Sequence, residues 1–458
     1  MANCGPLAHW LMPLADGGGV WYSSFRMKTG TSAMLKTAAA LLLALAAASA
    51  VLAVFGADGA LALMRKPVPV AFMAILAGLL AVLAAWRLPG IVRRPSVPLH
   101  LGLALVLGGW AYNEFKGDED GYLRLRGGQV GRVAEAFNFS LSEFRIDRWP
   151  DTGTVRQYTS FGSVEGKPVE ISVNHPLVRD GWWVYQSSYE ELQNPHTGKP
   201  LYFTILMCVK DVGLPAVATG GVLLLLGALW LAVTALHRRI PAYGSVSLPP
   251  VQIRAMYALA FVGAVAMLVH RGISTGHPPM QNMYGFLMCM AAFVPVLTFV
   301  SAKVDGQNTL LADTALMALL LVPVCFVMDG TPKRLMPALQ SPLFVPHVGA
   351  YVAGYVLLVR AALGAGTRLV GIGFFMLTLG LVLGAAWGKV CWGRWWQFDP
   401  KEMWSLATWF VYAAYFHVRP HLSVRGERVF LALGAVMIAL TLTWINMSRL
   451  FSGMHSYA

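Results

Sequence analysis

The stretch Gly220-Gly-Val-Leu-Leu-Leu-Leu-Gly-Ala-Leu-Trp-Leu-Ala-Val-Thr-Ala-Leu236 contains no charged residue, and His237-Arg-Arg239 follows it directly. An α-helix needs about 20 mainly apolar residues to cross the hydrocarbon core of a bilayer, and a basic edge is typical of a cytoplasmic helix end. A second uncharged stretch, Leu41 to Phe55, lies near the N-terminus. These two stretches predict a membrane protein whose spanning elements are helices.

The composition of the whole chain supports this prediction. Of 458 residues, 57% are apolar and 12% are charged, and the mean hydropathy is +0.58, which excludes an ordinary soluble domain. The net charge is +13, but an excess of Lys and Arg in a membrane protein usually records topology, so nucleic acid is not an expected partner. The five cysteines form no Cys-x-x-Cys pair, so the sequence predicts neither a zinc site nor an internal dithiol motif.

Apolar windows of about 20 residues recur along the chain and predict its fold class. We expect an all-α polytopic membrane protein of about eleven transmembrane helices with one small β-rich extracytoplasmic domain. The predicted helices lie near residues 34–56, 68–86, 98–113, 212–236, 251–269, 283–301, 309–328, 347–363, 369–388, 401–418 and 428–447.

The polar stretch 114–211 holds 14 of the 22 acidic residues and is predicted to be the β-rich domain. β-Branched and aromatic residues between turn-forming residues indicate antiparallel strands at 170–175, 181–187 and 201–206. With this domain outside, fifteen Lys and Arg residues fall on the cytoplasmic side and nine in the opposite loops. This bias agrees with the positive-inside rule.

Four histidines lie at the ends of predicted helices and form two depth-matched pairs. His100 and His417 lie at the cytoplasmic level, whereas His347 and His455 lie at the outer level, roughly 25 Å away at 1.5 Å per residue. Ionisable residues at such depths are candidate functional residues. The alternative is that each is an interfacial residue whose polar tip reaches water.

Six of the fifteen tryptophans lie between Trp387 and Trp409, in a predicted outer loop. They surround the sequence Trp392-Gly-Arg-Trp-Trp-Gln-Phe-Asp-Pro-Lys-Glu402. An aromatic belt at the membrane interface is one interpretation. However, indoles interleaved with charges of both signs also suit a large planar ligand with an anionic edge.

Haem is the predicted ligand, with Trp392, Trp395 and Trp396 as its aromatic platform. Arg394, Lys389 and Lys401 are candidate partners of its carboxylates. Haem iron takes axial ligands, often histidine, so His347 and His455 form a candidate outer site. Asp399 is a candidate ligand contact, but with Pro400 and Glu402 it could equally serve as the N-cap of the tenth helix.

The tryptophan-rich segment Trp392 to Trp404 resembles the haem-handling "WWD" motif shared by CcsA, CcmC and CcmF proteins of cytochrome c maturation. Further segments resemble CcsA or CcsB (ResB) and together indicate a fused CcsBA (ResB/ResC-type) system II protein. The CcsA-like segments are Pro337-Ala-Leu-Gln-Ser341 before His347, Thr408-Trp-Phe-Val-Tyr412 before His417, and Gly453-Met-His-Ser-Tyr457. The CcsB-like segments are Pro98-Leu-His-Leu-Gly102, Val173-Asn-His-Pro-Leu177 and Trp183-Val-Tyr-Gln-Ser-Ser188.

The resemblance implies a domain organisation. Residues 34–113 would be CcsB-like transmembrane helices, 114–211 the CcsB-like periplasmic domain, and 212–250 the last CcsB-like helix with a linker. Residues 251–458 would be the CcsA-like haem-handling domain. The N-terminal segment 1–33 has no recognised counterpart, and Met27 or Met34 is the expected start.

The resemblance also implies a function and its residues. Haem b, as substrate and bound ligand, would be held through its iron by His100 and His417 in the membrane and by His347 and His455 outside. The latter two would be the catalytic ligands of a holocytochrome c synthase, a lyase that attaches haem to Cys-x-x-Cys-His of apocytochrome c. A thiol-reducing thioredoxin-like protein and membrane lipid are further expected partners.

The implied location is the bacterial cytoplasmic (inner) membrane, with attachment on the periplasmic or outer face. Two other hypotheses remain open at this point. One is a haem exporter or relay that delivers haem to a separate ligase. The other is a transporter of a different substrate, in which the tryptophans and histidines only anchor the protein in the membrane.

Overall fold

The computed structural model describes residues 29–87, 95–193, 198–237, 251–304, 309–364 and 368–447. The predicted N-terminal segment therefore lies almost wholly outside the described residues, and so does His455. Twelve α-helices occupy these ranges: α1 Thr29–Val54, α2 Gly56–Met64, α3 Pro67–Arg87, α4 Ser96–Lys116, α5 Leu214–Leu236, α6 Val251–Thr275, α7 Met283–Val304, α8 Leu310–Phe326, α9 Phe344–Ala362, α10 Arg368–Trp392, α11 Pro400–Val418 and α12 Val424–Met447.

Each of the eleven predicted spans coincides with one of these helices. The unpredicted helix is α2, which is too short to fill a 20-residue window and begins where Gly56, at φ +70°, turns the chain after α1. In the described residues, six helices are long and apolar enough to cross a bilayer: α1, α3, α5, α6, α9 and α10. Six membrane spans are thus supported by helix length and composition, and the count of eleven stays a prediction.

Between α4 and α5 the chain forms eight strands, which confirms the predicted β-rich domain. The strands are β1 Asp118–Leu125, β2 Val130–Val133, β3 Phe137–Arg148, β4 Val155–Val164, β5 Lys167–Ser172, β6 Leu177–Arg179, β7 Trp182–Gln193 and β8 Pro200–Lys210. They form two antiparallel four-stranded sheets, in the orders β1-β8-β7-β6 and β2-β3-β4-β5.

The core of this domain lies between residues of both sheets. Alternate residues of β3, among them Phe139 and Leu141, are fully buried with Ile171, Val184 and Leu206 from other strands. Period-two burial is what a strand produces when one of its faces covers an apolar core. The segments at 170–175, 181–187 and 201–206 fall on β5, β7 and β8, as the residue pattern predicted.

Helices α4 and α5, on either side of the β domain in the sequence, pack closely against each other. Gly102 and Gly220 face each other so tightly that a Cβ on Gly102 would lie 2.7 Å from the carbonyl oxygen of Gly220. Small residues of this kind allow membrane helices to approach closely. Further contacts join α5 to α10, α10 to α9 and α1 to α11, so the two ends of the chain share one helical assembly.

The β domain is anchored to the helical part by a buried ion pair. Lys389, on the last turns of α10, lies 2.8 Å from Asp211, which follows β8, and the two side chains are 3% and 5% exposed. The Lys389 ammonium also lies 5.2 Å from the centre of the Trp183 ring. A buried charge requires such a partner, so this contact fixes the C-terminal end of α10 against the β domain.

Candidate functional site

His100 and His417 lie side by side although 317 positions separate them in the sequence. The centres of their imidazole rings are 6.0 Å apart, and the ring planes are inclined by 79°. Two imidazoles that bind one metal from opposite sides, with bonds of about 2 Å, place their nitrogens about 4 Å and their ring centres roughly 6 Å apart. The spacing of the two rings therefore fits one metal ion between them.

Backbone contacts select the tautomer of both histidines. The Nδ1 atom of His100 lies 2.5 Å from the carbonyl oxygen of Ser96, and that of His417 lies 2.8 Å from the carbonyl oxygen of Ala413. Because a carbonyl oxygen only accepts, each Nδ1 carries the proton and each Nε2 carries the lone pair. This is the orientation that metal-ligating histidines usually have.

Both histidines line one end of a cavity of about 1820 Å³ between the helices. Its walls come from α1, α3, α4, α5, α10 and α11 and are mostly leucine, valine, alanine and aromatic side chains. Along α4 the lining runs from His100 to Glu114, about 21 Å at 1.5 Å per residue. We name this space the large cavity; it can accept an apolar macrocycle.

Part of the tryptophan-rich segment lines the same cavity. Arg394, Trp395 and Trp396 lie in its wall together with Phe398. The indole Nε1 of Trp395 is buried and has no hydrogen-bond partner among the described residues. A buried donor of this kind suits an acceptor on a bound ligand, such as a carboxylate oxygen.

His347 lies in a second cavity, of about 190 Å³, which we name the small cavity. Its Nδ1 donates to the carbonyl of Gly380 at 2.9 Å, so Nε2 again carries the lone pair. The imidazole packs edge-on against Trp387 and Tyr351, with ring centres 5.6 and 5.1 Å away. The predicted partner of His347, His455, lies outside the described residues, so their pairing stays a prediction.

The two cavities share part of their walls. Leu381, Ala385 and Trp396 line both of them, whereas Lys401 and Glu402 line the small one. Trp396 and Lys401 thus line the same small cavity as His347, and their contact with haem stays a prediction. Trp392 instead packs on Trp387, with ring centres 5.6 Å apart, and is absent from the described lining of either cavity.

The prediction of an outer loop from Trp387 to Trp409 is wrong. Helix α10 continues to Trp392 and α11 begins at Pro400. Of the six tryptophans, only Trp395 and Trp396 lie in the connection between the two helices. The predicted span ended at residue 388 because the charge of Lys389 closed the apolar window. The helix continues past Lys389, a good helix former, whose charge is paired with Asp211 of the β domain and not with a carboxylate ligand.

Asp399 has the structural role that the sequence offered as an alternative. It is the N-cap of α11, where its side chain accepts from the backbone nitrogen of Lys401 at 2.9 Å. Glu402 completes the capping box by accepting from the backbone nitrogens of Gln397 and Asp399. The box fixes the start of α11 and holds Trp396 and Lys401 near the small cavity; a contact of Asp399 with a ligand stays a prediction.

Sequence reasoning missed two residues beside the histidines. Arg419, in the short 3-10 turn after α11, lines the large cavity close to His417 and lies 3.3 Å from Glu427. The sequence offered one signal for Arg419, its position two residues after the candidate ligand His417. Gly384 faces His347 from α10, and a Cβ there would lie 2.6 Å from the Cε1 atom of the imidazole.

Comparisons with known proteins agree with the two parts of the chain. Residues 96–201 match the ResB-like family, and residues 365–455 match the cytochrome C assembly protein family. The cytochrome c biogenesis protein CcsA of Chlamydomonas reinhardtii is 29% identical over 241 residues, which cover 44% of this chain and 67% of the relative. CcsA of Prochlorococcus marinus strain MIT 9303 is 28% identical over 263 residues, which cover 44% of this chain and 82% of that relative.

The helices and the β domain describe a multi-pass membrane protein, and the matches show that it is similar to proteins of cytochrome c biogenesis. Its single chain combines a ResB-like part with a CcsA-like part, which confirms the resemblance to a fused CcsBA protein of the system II type.

Proposed function

We propose that this protein moves haem b across the membrane and attaches it to the Cys-x-x-Cys-His segment of apocytochrome c. His100 and His417 would hold the haem iron within the membrane, and His347 and His455 would hold it at the outer face. The observation that carries the proposal is the pair of imidazoles 6.0 Å apart at the end of an apolar cavity that reaches Trp395 and Trp396.

The proposed attachment requires no nucleophile from this chain. Each cysteine thiol adds across one vinyl group, so that its sulfur bonds to one vinyl carbon and its hydrogen passes to the other, with no net oxidation. The task of the chain is to position the vinyl groups against the thiols and to shield the haem from water. The histidine of the apocytochrome would then replace one axial ligand of the protein.

The domain organisation proposed for this function follows the two matched parts. Residues 34–113, 114–211 and 212–250 would form the CcsB-like part, and residues 251–458 the CcsA-like part, with eleven spans in all. The positive-inside bias supports a β domain on the periplasmic or outer face of a bacterial cytoplasmic membrane. Trp392, Trp395, Trp396, Asp399, Arg394 and Lys401 would contact the haem, and a thioredoxin-like protein would keep the cysteines of the apocytochrome reduced.

Absorption spectra of detergent-purified protein test the haem ligands. We expect a reduced low-spin haem spectrum for the wild type, because two imidazoles ligate the iron. The variants His100→Ala, His417→Ala, His347→Ala and His455→Ala should lose or alter this spectrum in matched pairs.

His237→Ala is the matched control for these variants. His237 is exposed, its Nδ1 also donates to a helix carbonyl, and its side chain lies outside the lining of the large cavity. This variant should keep the wild-type spectrum. A wild type that contains no haem and takes up none when haem is added would contradict the proposal.

Co-expression with an apocytochrome c, in cells without other maturation proteins, distinguishes a synthase from a relay. If the product contains covalent haem, detected after acid extraction of free haem, this chain alone is sufficient for the attachment and the protein is a synthase. A haem-loaded chain with no covalent product would instead favour the exporter or relay.

A further inference from the structure

Asn174, a residue of the β domain, contacts a segment of the helical part that lies next to His347. It follows β5 with a left-handed backbone, φ +69°, and is 8% exposed. Its side-chain Nδ2 lies 3.0, 3.3 and 3.2 Å from the carbonyl oxygens of Pro337, Ala338 and Gln340. An amide nitrogen has two hydrogens, so three carbonyls of one short turn converge on two donors.

One of these carbonyls connects Asn174 to the outer histidine. Ala338 also accepts a hydrogen bond from the indole Nε1 of Trp387, at 3.1 Å. The Trp387 ring in turn packs against the imidazole of His347, with ring centres 5.6 Å apart. A continuous series of contacts therefore leads from the amide of Asn174 through Ala338 and Trp387 to His347.

Apolar packing surrounds this series of contacts. Leu339 and Phe344 are buried with Trp387, and Val173 contributes the neighbouring side chain from the β domain. By contrast, the Oδ1 atom of Asn174 is buried without a hydrogen-bond partner among the described residues. Among the described residues, the hydrogen bonds of the Asn174 side chain are therefore all made by its Nδ2 group.

We propose that Asn174 is a positioning residue for the outer haem site. Its amide fixes the turn at 337–340, the turn fixes Trp387, and Trp387 fixes the imidazole of His347. The inference rests on the proposed function, in which His347 is an axial ligand of haem. It also gives the ResB-like domain a task at that site, because the positioning group belongs to this domain.

Two substitutions of Asn174 separate its amide from its backbone conformation. Asn174→Asp keeps the size of the side chain but sets an acceptor-only carboxylate against three carbonyl oxygens. Asn174→Gly keeps access to the left-handed backbone and removes the amide. Asp151→Asn is the control, because Asp151 pairs with Arg334 in the same contact region but through exposed side chains, at 2.8 Å.

The readouts are the low-spin haem absorption that His347→Ala removes and the midpoint potential of that haem. We expect Asn174→Asp to lose at least half of this component, Asn174→Gly to shift its potential, and Asp151→Asn to leave both unchanged. In the His347→Ala background, Asn174→Asp should cause no further loss, because Asn174 acts through His347.

Other results would overturn the inference in distinguishable ways. If His347→Ala removes the component but Asn174→Asp and Asn174→Gly both keep it, the positioning role is wrong and the proposed function stands. Further loss of haem from the double variant, beyond that of His347→Ala, would show a general structural role in place of positioning. A wild type without any haem spectrum would refute the proposed function and the inference with it.

Discussion

At the scale of single residues, the candidate site depends on histidines whose Nδ1 atoms are bound to backbone carbonyls. His100, His417 and His347 all follow this rule, although they lie on different helices. The first two use a carbonyl one turn back on their own helix, whereas His347 uses Gly380 on the neighbouring helix α10. The position of His347 is therefore more sensitive to the packing between helices.

Gly384→Ala tests this sensitivity. A methyl group at this position would lie 2.6 Å from Cε1 and 2.9 Å from Nδ1 of His347, so the imidazole must move. We expect the variant to lose or shift the outer haem component and to reduce the yield of holocytochrome at least tenfold. Spectra and haem-stained gels measure the two effects.

Gly349→Ala is the matched control for this substitution. Gly349 lies on α9 two residues after His347, and a Cβ there meets nothing within 4 Å. The spectrum of the Gly349→Ala variant and its yield of holocytochrome should equal those of the wild type. Equal behaviour of the two alanine variants would show that His347 is not held against α10.

At the scale of elements, apolar windows predicted the helices well because bilayer thickness sets their length. They failed at two places: α2 is too short for such a window, and α10 continues past Lys389, whose charge is paired with Asp211. Three of the eight strands were predicted from residue pattern. Of the others, β1 and β3 contain four charged residues each, β2 and β6 are only four and three residues long, and β4 mixes its apolar residues with polar ones.

The same distinction applies to the candidate site. Depth along the predicted helices was sufficient to pair His100 with His417, whose ring centres lie 6.0 Å apart in the structure. By contrast, the contact of Asn174 with the turn at 337–340 joins residues more than 160 positions apart, and no local pattern records it. Predicting it requires the docking of the β domain, which the sequence did not indicate.

The close contact of α4 with α5 gives a prediction at this scale. Gly102→Ala would place a Cβ 2.7 Å from both the carbonyl oxygen of Gly220 and the backbone nitrogen of Leu224, so α4 must move away. Because His100 lies two residues earlier, its spacing to His417 should change. We expect weaker haem retention during purification, measured as haem per chain.

Gly108→Ala is the corresponding control on α4. Its Cβ would meet the side chain of Ala77 at 3.6 Å, an ordinary van der Waals contact. Haem content should therefore match the wild type. If Gly102→Ala also retains its haem fully, the close approach of α4 and α5 has no part in the spacing of the histidines.

At the scale of the whole molecule, the ion pair between Lys389 and Asp211 joins the β domain to the helical part. Lys389→Met would leave the carboxylate of Asp211 buried without its partner, which typically costs about 3–5 kcal/mol. We expect a marked fall in the thermal unfolding temperature in detergent. The double variant Lys389→Met with Asp211→Leu should recover most of this loss, since no buried charge remains.

An exposed pair provides the comparison for this prediction. Arg124 and Glu190 are 47% and 40% exposed, so Arg124→Met should cost less than about 1 kcal/mol. If Lys389→Met unfolds at the same temperature as Arg124→Met, the buried pair does not hold the two parts together. A double variant less stable than Lys389→Met would instead indicate that packing around Lys389, and not its charge, dominates.

The large cavity also raises the question of how the membrane around this protein stays an electrical insulator. Its lining extends along α4 from His100 to Glu114 for about 21 Å, which compares with about 30 Å for the hydrocarbon core of a bilayer. A water-filled passage of that length would conduct ions, and each charge that crossed would dissipate about 2.3 kcal/mol per 100 mV of membrane potential. Most of the side chains that line it are apolar and disfavour hydration, so we expect the large cavity to oppose such a leak of ions.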